Sequence, residues 1–384
     1  MRELHGVERL WYSRDLAARA ARLALTPLEL LYGGAMTLRG RLYDAGVLPV
    51  HEPRIPALGV GNLTVGGTGK TPVSAWLASE LAVRGARPAI VLRGYGSDEP
   101  LVHEILNPGI PVIASPDRVA GMGRAAASGC DTVVLDDAFQ HRRAARTADI
   151  VLVSAERWCE NRRLLPAGPW REPLSSLRRA ALAVVTRKAA SLDDARRVAE
   201  RVSLAAGGMA TAIVHLALGE LRVIPRGTDD APRSTMSAVH FGDRGGAAPR
   251  DDGAVGAATP GSVAPSVLEG QRVLAISAIG DSAAFEGQLA AVGARVESRS
   301  FPDHHRFTLQ EALRLASAAA QLARGASTAP AAVCTLKDAV KLASLWPREA
   351  PPLWYVSQQP EVESGRAEVD ALIARTLAVR HRQP

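Results

Sequence analysis

Apolar positions along the chain fall into short continuous runs separated by stretches of helical period. From Arg54 onward, runs at 55–62, 88–93, 132–137, 149–154 and 181–186 read as strands. They are mostly unbroken rather than alternating, as strands of a parallel sheet buried on both faces are. Helical patterns at 71–84, 117–128 and 191–205 fall between several of them. The rhythm stops at 226–268, where Gly, Ala, Pro, Ser, Asp and Arg replace the large apolar residues, and it predicts a linker or insertion without a core of its own. A second series follows: strands at 273–279, 294–300, 331–335 and 353–356, with helices at 282–292, 308–323 and 363–379. Ahead of both, residues 8–47 form short helices in which Leu10, Trp11, Leu16, Leu23, Leu28, Leu30 and Leu31 are interspersed with Arg19, Arg22, Arg39 and Arg41. That mixture suits a helix lying in the headgroup region of an anionic bilayer, and equally one packed on its own domain.

The pattern predicts an α/β protein in four parts: an amphipathic helical N-terminus (1–47), a parallel-sheet domain (48–225), the low-complexity segment (226–268) and a smaller α/β domain (269–384). Composition narrows the partners. The 384 residues carry a formal net charge of +7, which admits nucleic acid, an anionic membrane or a phosphorylated substrate, but aromatic residues are only 4%. Without aromatic interleaving there is no stacking platform for bases, and no nucleic-acid partner is expected. Cys130, Cys159 and Cys334 lie far apart, in no metal-binding spacing, as suits a reducing compartment. No run is long and apolar enough to span a bilayer, and the N-terminus lacks the features of a secretory signal.

The stretch that points to chemistry is Val60–Pro72, V-G-N-L-T-V-G-G-T-G-K-T-P, set between a strand and a helix. Gly66, Gly67, Thr68 and Gly69 can wrap backbone N–H groups around a phosphate, with the helix N-terminus adding unpaired donors. Lys70 can reach the β- and γ-phosphates of a nucleotide, and the Thr71 hydroxyl can ligate Mg²⁺. This is a P-loop pattern in its G-K-T half, although Thr64 stands at the position of the first glycine. Of 46 Lys plus Arg, only Lys70, Lys188, Lys337 and Lys341 are lysines. A lysine kept in so arginine-biased a chain implies a task for a compact charge. After the strand at 132–137, Asp136 and Asp137 occupy the place of a metal-holding carboxylate, and strand geometry would send them to opposite faces unless the strand has already ended.

These blocks occur in order with V-L-R-G-Y-G (91–96), D-E-P (98–100), D-D-A-F-Q-H (136–141), L-P-A-G-P-W-R-E-P (165–173) and F-P-D-H-H-R-F (301–307). Together they resemble the tetraacyldisaccharide 4'-kinases of lipid A biosynthesis, from about Leu25 to the final helix. The resemblance implies transfer of the ATP γ-phosphoryl group to the 4'-hydroxyl of an acylated disaccharide 1-phosphate, with Mg²⁺, at the cytoplasmic face of the bacterial inner membrane. It further implies that Asp98 and His304 deprotonate the acceptor, with the second domain contributing to the active-site cleft. Lys70 and Thr71 would serve the nucleotide, Asp136 and Asp137 the metal, and Gln140 and Glu172 would be further polar groups around metal and phosphates. His305 competes with His304 for its role, and Arg93 could be an anion ligand for substrate phosphate or half of a structural ion pair. Two alternatives remain: a membrane-associated regulatory P-loop ATPase, and a homologue that binds lipid or nucleotide without catalysis.

Overall fold

The computed structural model describes residues 6–94, 98–158, 162–224, 262–323 and 330–380. The chain divides into two compact units. The first comprises Met1–Arg93, Ile113–Val214 and Val362–Pro384, and the second Gly94–Val112 and His215–Glu361. This differs from the division at 48–225 and 269–384 in three places, the first being that residues 215–225 belong to the second unit. The segment that carries Asp98 belongs to the second unit, and the last helix belongs to the first. Most of the 226–268 segment lies outside the described residues, but its end does not: Ser262–Val263 form a short strand and Pro265–Leu268 a 3-10 turn.

In the first unit the strands are β1 (Ala57–Asn62), β2 (Pro88–Leu92), β3 (Val112–Ala114, at the boundary), β4 (Thr132–Leu135), β5 (Ala148–Ser154) and β6 (Leu182–Arg187). They lie in the order β6-β5-β1-β4-β2-β3, with β1 parallel to both β4 and β5. Every residue of β1, β2 and β4 is buried, which is why the sequence shows unbroken apolar runs there. The helices are α1 (Gly6–Tyr12), α2 (Leu16–Ala24), α3 (Thr26–Asp44), α4 (Lys70–Val83), α6 (Arg118–Ala127), α7 (Leu192–Ala205) and the closing α11 (Arg366–Arg380); α5 (Asp98–Leu106) lies in the second unit. Parallel strands deliver their carboxyl ends to one edge, where α/β sheets bind ligands. Here that edge gathers the Val60–Pro72 loop after β1, Arg93 after β2, the D-D pair after β4, Glu156 after β5 and Lys188 after β6.

The second unit orders β10 (Arg295–Ser300), β9 (Arg272–Ser277), β11 (Ala332–Thr335) and β12 (Leu353–Ser364) side by side, the register being parallel from β10 through to β12. β12 neighbours β7 (Thr211–Val223), which pairs antiparallel with β8 (Ser262–Val263). Both β7 and β12 run from one unit into the other. Helices α8 (Ser282–Ala291), α9 (Leu309–Ala323) and α10 (Leu336–Leu342) complete it. Val102 and Ile105 of α5 share one apolar core with Leu336, Ala339 and Leu342 of α10, so these two helices are packed against each other.

The N-terminal helices are tied to the first unit by polar bonds rather than by an apolar face. Tyr32 donates to the Arg171 carbonyl at 2.8 Å, Arg39 to the Gln140 carbonyl at 2.9 Å, and Glu29 accepts from the Leu164 N–H at 2.8 Å. α2 buries only Ala18 and Arg22, and α3 buries nothing. No helix among the described residues is long and apolar enough to cross a membrane.

Candidate active site

The phosphate loop is built by glycines in positions that other residues resist. Gly66 and Gly69 have φ of 120° and 83°, and Gly69 caps α4 at its N-terminus. Upstream, a Cβ on Gly61 of β1 would stand 2.6 Å from the Phe139 Cβ, so the D-D-A-F turn can close onto β1 only over a glycine. Cross-bonds from strand ends then fix the loop: Asn62 Nδ2 donates to Thr68 Oγ1 at 2.9 Å, Thr186 Oγ1 to the Thr68 carbonyl at 2.9 Å, and Lys188 Nζ to the Gly67 carbonyl at 2.8 Å. Glu156 holds the Lys188 loop in turn, its Oε1 accepting from the N–H groups of Lys188, Ala189 and Ala190.

β4 ends at Leu135, so Asp136 and Asp137 do not occupy opposite faces of a strand; they form a turn in which Asp137 has φ of 49°. The buried Asp136 accepts from Ser74 Oγ of α4 at 3.0 Å and from the Asp137 N–H at 2.9 Å. Arg118, itself buried, donates to the Asp136 carbonyl at 3.1 Å. Asp137 faces cations: Arg171 Nη1 lies 3.1 Å and Lys70 Nζ 3.7 Å from its Oδ1. Gln140 donates its side-chain amide to the Asn62 carbonyl at 2.8 Å, and the buried Glu172 pairs with Arg179 at 2.8 Å. Arg93 directly follows β2 with its side chain exposed. This edge therefore joins the N-terminus of α4 to Lys70, Lys188 and Arg171, an anion cradle, with the oxygen donors of Thr71 and Asp136 beside it.

In the second unit a different cluster surrounds Asp98, the first residue of α5. Asp98 Oδ2 lies 3.8 Å from Lys341 Nζ, which lies 3.6 Å from the fully buried Asp338. His304, at φ of 61°, places Nε2 3.2 Å from Lys337 Nζ, and Lys337 also pairs with Asp303 at 3.6 Å. Because an ammonium only donates, Nε2 is the acceptor and the proton resides on Nδ1. Burial and the Lys337 charge both push the His304 pKa below the ordinary histidine value, against the opposing pull of Asp303 and Asp98. Both effects favour the neutral imidazole. Its neighbour is committed elsewhere: His305 stacks on Phe301 at 4.9 Å, meets Phe307 edge-on and bonds Glu311 at 3.2 Å. The Asp98 charge acts on His304. Replacing Lys337 with methionine removes a cation that opposes protonation, so the His304 pKa is expected to move up. An NMR titration of the ring checks this, and an unmoved or lowered midpoint would contradict it.

Asp338, Lys341, Lys337 and Lys188 were not singled out for a site from the sequence, although the scarcity of lysine pointed at three of them.

Fold and loop define an α/β protein of the P-loop nucleotide-binding class. A family model described as tetraacyldisaccharide-1-P 4'-kinase matches residues 21–108 and 96–378. A tetraacyldisaccharide 4'-kinase of Anaeromyxobacter sp. (strain Fw109-5) is 37% identical over 88% of this chain and 87% of its own length, and one of Alkalilimnicola ehrlichii is 33% identical over 94% and 95%. Among solved structures, LpxK from Aquifex aeolicus, described as an "apo" form in complex with ATP, superposes with a TM-score of 0.64 at 25% identity, covering 93% of this chain and 99% of its own. The chain belongs to the tetraacyldisaccharide 4'-kinase family.

Proposed function

We propose that this chain transfers the γ-phosphoryl group of ATP to the 4'-hydroxyl of tetraacyldisaccharide 1-phosphate, a step of lipid A biosynthesis. The observation that carries the reading is the family match spanning both units. It covers the phosphate loop with Lys70 and Thr71 in one and the Asp98–His304 cluster in the other. It favours a kinase over a regulatory ATPase.

In this reading the N–H groups of Gly66–Gly69 and the Lys70 ammonium hold the β- and γ-phosphates, and Lys188 and Arg171 add positive charge around them. The donor set fits Mg²⁺, which binds nucleotides through one or two protein oxygens and not a full protein cage. Thr71 and the buried Asp136 would hold it, with Asp137 alongside, and no cluster of three or more His, Cys, Asp or Glu suited to a metal occurs among the described residues. Bound there, Mg²⁺ supplies charge neutralisation on the phosphates. Gln140 and Glu172 brace the site, Gln140 through the end of β1 and Glu172 through Arg179, which lies over the Phe139 ring at 4.4 Å. Asp98 takes the proton of the acceptor hydroxyl, and the neutral His304 assists it. Arg93 is assigned to a phosphate of the substrate.

The decisive assay incubates the purified protein with γ-labelled ATP, Mg²⁺ and tetraacyldisaccharide 1-phosphate. Label is expected in the lipid with one ADP formed per product. ATP consumption with no labelled lipid would instead identify an ATPase.

The same reading places the protein peripherally at the cytoplasmic face of the inner membrane. Its support is the N-terminal surface: on α3, Leu30 and Leu31 are 70% and 71% exposed, and Leu16, Leu23, Leu28 and Leu38 are exposed with Arg14, Arg19 and Arg41. Exposed leucines among arginines suit insertion at an anionic interface. Leu30→Glu with Leu31→Glu is expected to lower partitioning onto anionic vesicles by at least about tenfold, since each leucine contributes roughly 1.5–3 kcal/mol when buried. Unchanged co-sedimentation would rule out α3 as the contact.

A further inference from the structure

All four lysines of the chain lie in the two polar clusters: Lys70 and Lys188 at the phosphate loop, Lys337 and Lys341 around Asp98 and His304. Everywhere else arginine supplies the positive charge. A guanidinium presents a broad planar fork, whereas an ammonium is a point charge that fits between two carboxylates. Lys341 is in that position, and the machinery described above gives it no task.

We propose that Lys341, tethered by Asp338, is a positioning residue that holds Asp98 for proton abstraction. The proposal rests on the kinase reading, in which Asp98 is the base. Its anchor is Asp338, which has no exposed surface and three bonds fixing it. Asp338 Oδ2 accepts from the Ala278 N–H at 3.0 Å and from Thr335 Oγ1 at 2.7 Å, and the Asp338 N–H donates to Thr335 Oγ1 at 3.3 Å. These bonds form a reciprocal cap on the first turn of α10, so the carboxylate position is set by the helix itself. Lys341 lies one turn further on the same helix, the spacing at which side chains meet. Its ammonium reaches 3.6 Å from Asp338 Oδ1 and 3.8 Å from Asp98 Oδ2.

The row Asp338–Lys341–Asp98 runs outward from the core, with side chains 0%, 13% and 16% exposed in that order. Asp338 Oδ1, Lys341 Nζ and Asp98 Oδ2 have no hydrogen-bond partner among the described residues, so charge alone couples them. Two carboxylates around one ammonium are a poor way to stabilise a core, where apolar side chains of similar volume serve as well or better. What the row does achieve is geometric. With α5 packed on α10, the ammonium holds Oδ2 of Asp98 from the buried side, and Oδ1 is the oxygen assigned to the acceptor proton.

A double-mutant cycle tests this with full-length protein. Lys341→Met is expected to lower kcat about 100-fold, the scale of a catalytic group misplaced by an ångström, with ATP affinity and acceptor KM within about threefold. In an Asp98→Asn background the same change should cost nothing further, because the lysine acts only through that carboxylate. A wild-type kcat for Lys341→Met, or a full further loss in the Asp98→Asn background, would overturn the proposal. Lys341→Gln, run through the same cycle, gives the answer if the methionine variant fails to fold. Failure of the underlying reading looks different: Asp98→Asn would then turn over as fast as wild type, removing the base and the proposal with it.

Discussion

Lys70→Ala is expected to reduce phosphoryl transfer by about 10³-fold, the scale set by removing one preorganised charge from a phosphoryl-transfer site. It should also weaken ATP binding by at least about tenfold, since the ammonium meets the phosphates in the ground state as well as during transfer. Lys70 begins α4, and its side chain is 18% exposed and paired with Asp137, so its loss opens no cavity in the core. The melting temperature should therefore change little. Lys70→Arg should not restore activity, because a planar guanidinium fork does not replace a compact ammonium at the end of the loop that Gly66 and Gly69 turn. Tight ATP binding by Lys70→Ala, measured by calorimetry, would separate the loop from the nucleotide and defeat the assignment.

The second large effect falls on the other half of the chemistry. Asp98→Asn keeps the shape of the side chain and removes its capacity to take a proton, and turnover is expected to fall by about 10³-fold, within the range for a general base. ATP affinity should stay within about twofold, because a group acting only on the acceptor leaves nucleotide binding unchanged. The contrast with Lys70→Ala is the informative part: one variant loses both nucleotide and turnover, the other turnover alone. Near-normal turnover by Asp98→Asn would remove it from the base role.

Much of the fold could be read from the apolar runs, because strands buried on both faces leave an unbroken signature. β7 escaped, since T-A-I-V-H-L-A-L is rich in Ala and Leu and reads as helix as readily as strand. α5 escaped because a proline such as Pro100 argues against a helix interior, yet it stands in the first turn, where a proline displaces no hydrogen bond. β12 extends through S-Q-Q-P-E-V-E-S, where partial exposure erases the apolar pattern that marks its first four residues.

The site shows the same division. Motif order points to Lys70, Thr71, Asp98 and the D-D pair as candidates, and the structure sets Gly69 in the left-handed region as the N-cap of the helix that Lys70 begins. Spacing could not reveal that β4 stops at Leu135 and turns Asp136 and Asp137 toward different partners, because V-V-L-D-D has no residue that marks the strand's end. Nor does spacing reveal that Phe301 and Phe307 pack against His305 and not against His304. The rarity of lysine was the one compositional signal that reached further than Lys70. It applies equally to Lys188, Lys337 and Lys341, whose partners are 33 or more residues away or on a helix whose capping is invisible without coordinates.

Product regiochemistry decides which oxygen receives the phosphoryl group. The lipid formed from ATP and tetraacyldisaccharide 1-phosphate should show, by proton–phosphorus correlation NMR, a new phosphomonoester coupled to the proton at C4', alongside the original 1-phosphate. A phosphorus signal on any other carbon, or inorganic phosphate with unmodified lipid, would contradict the account.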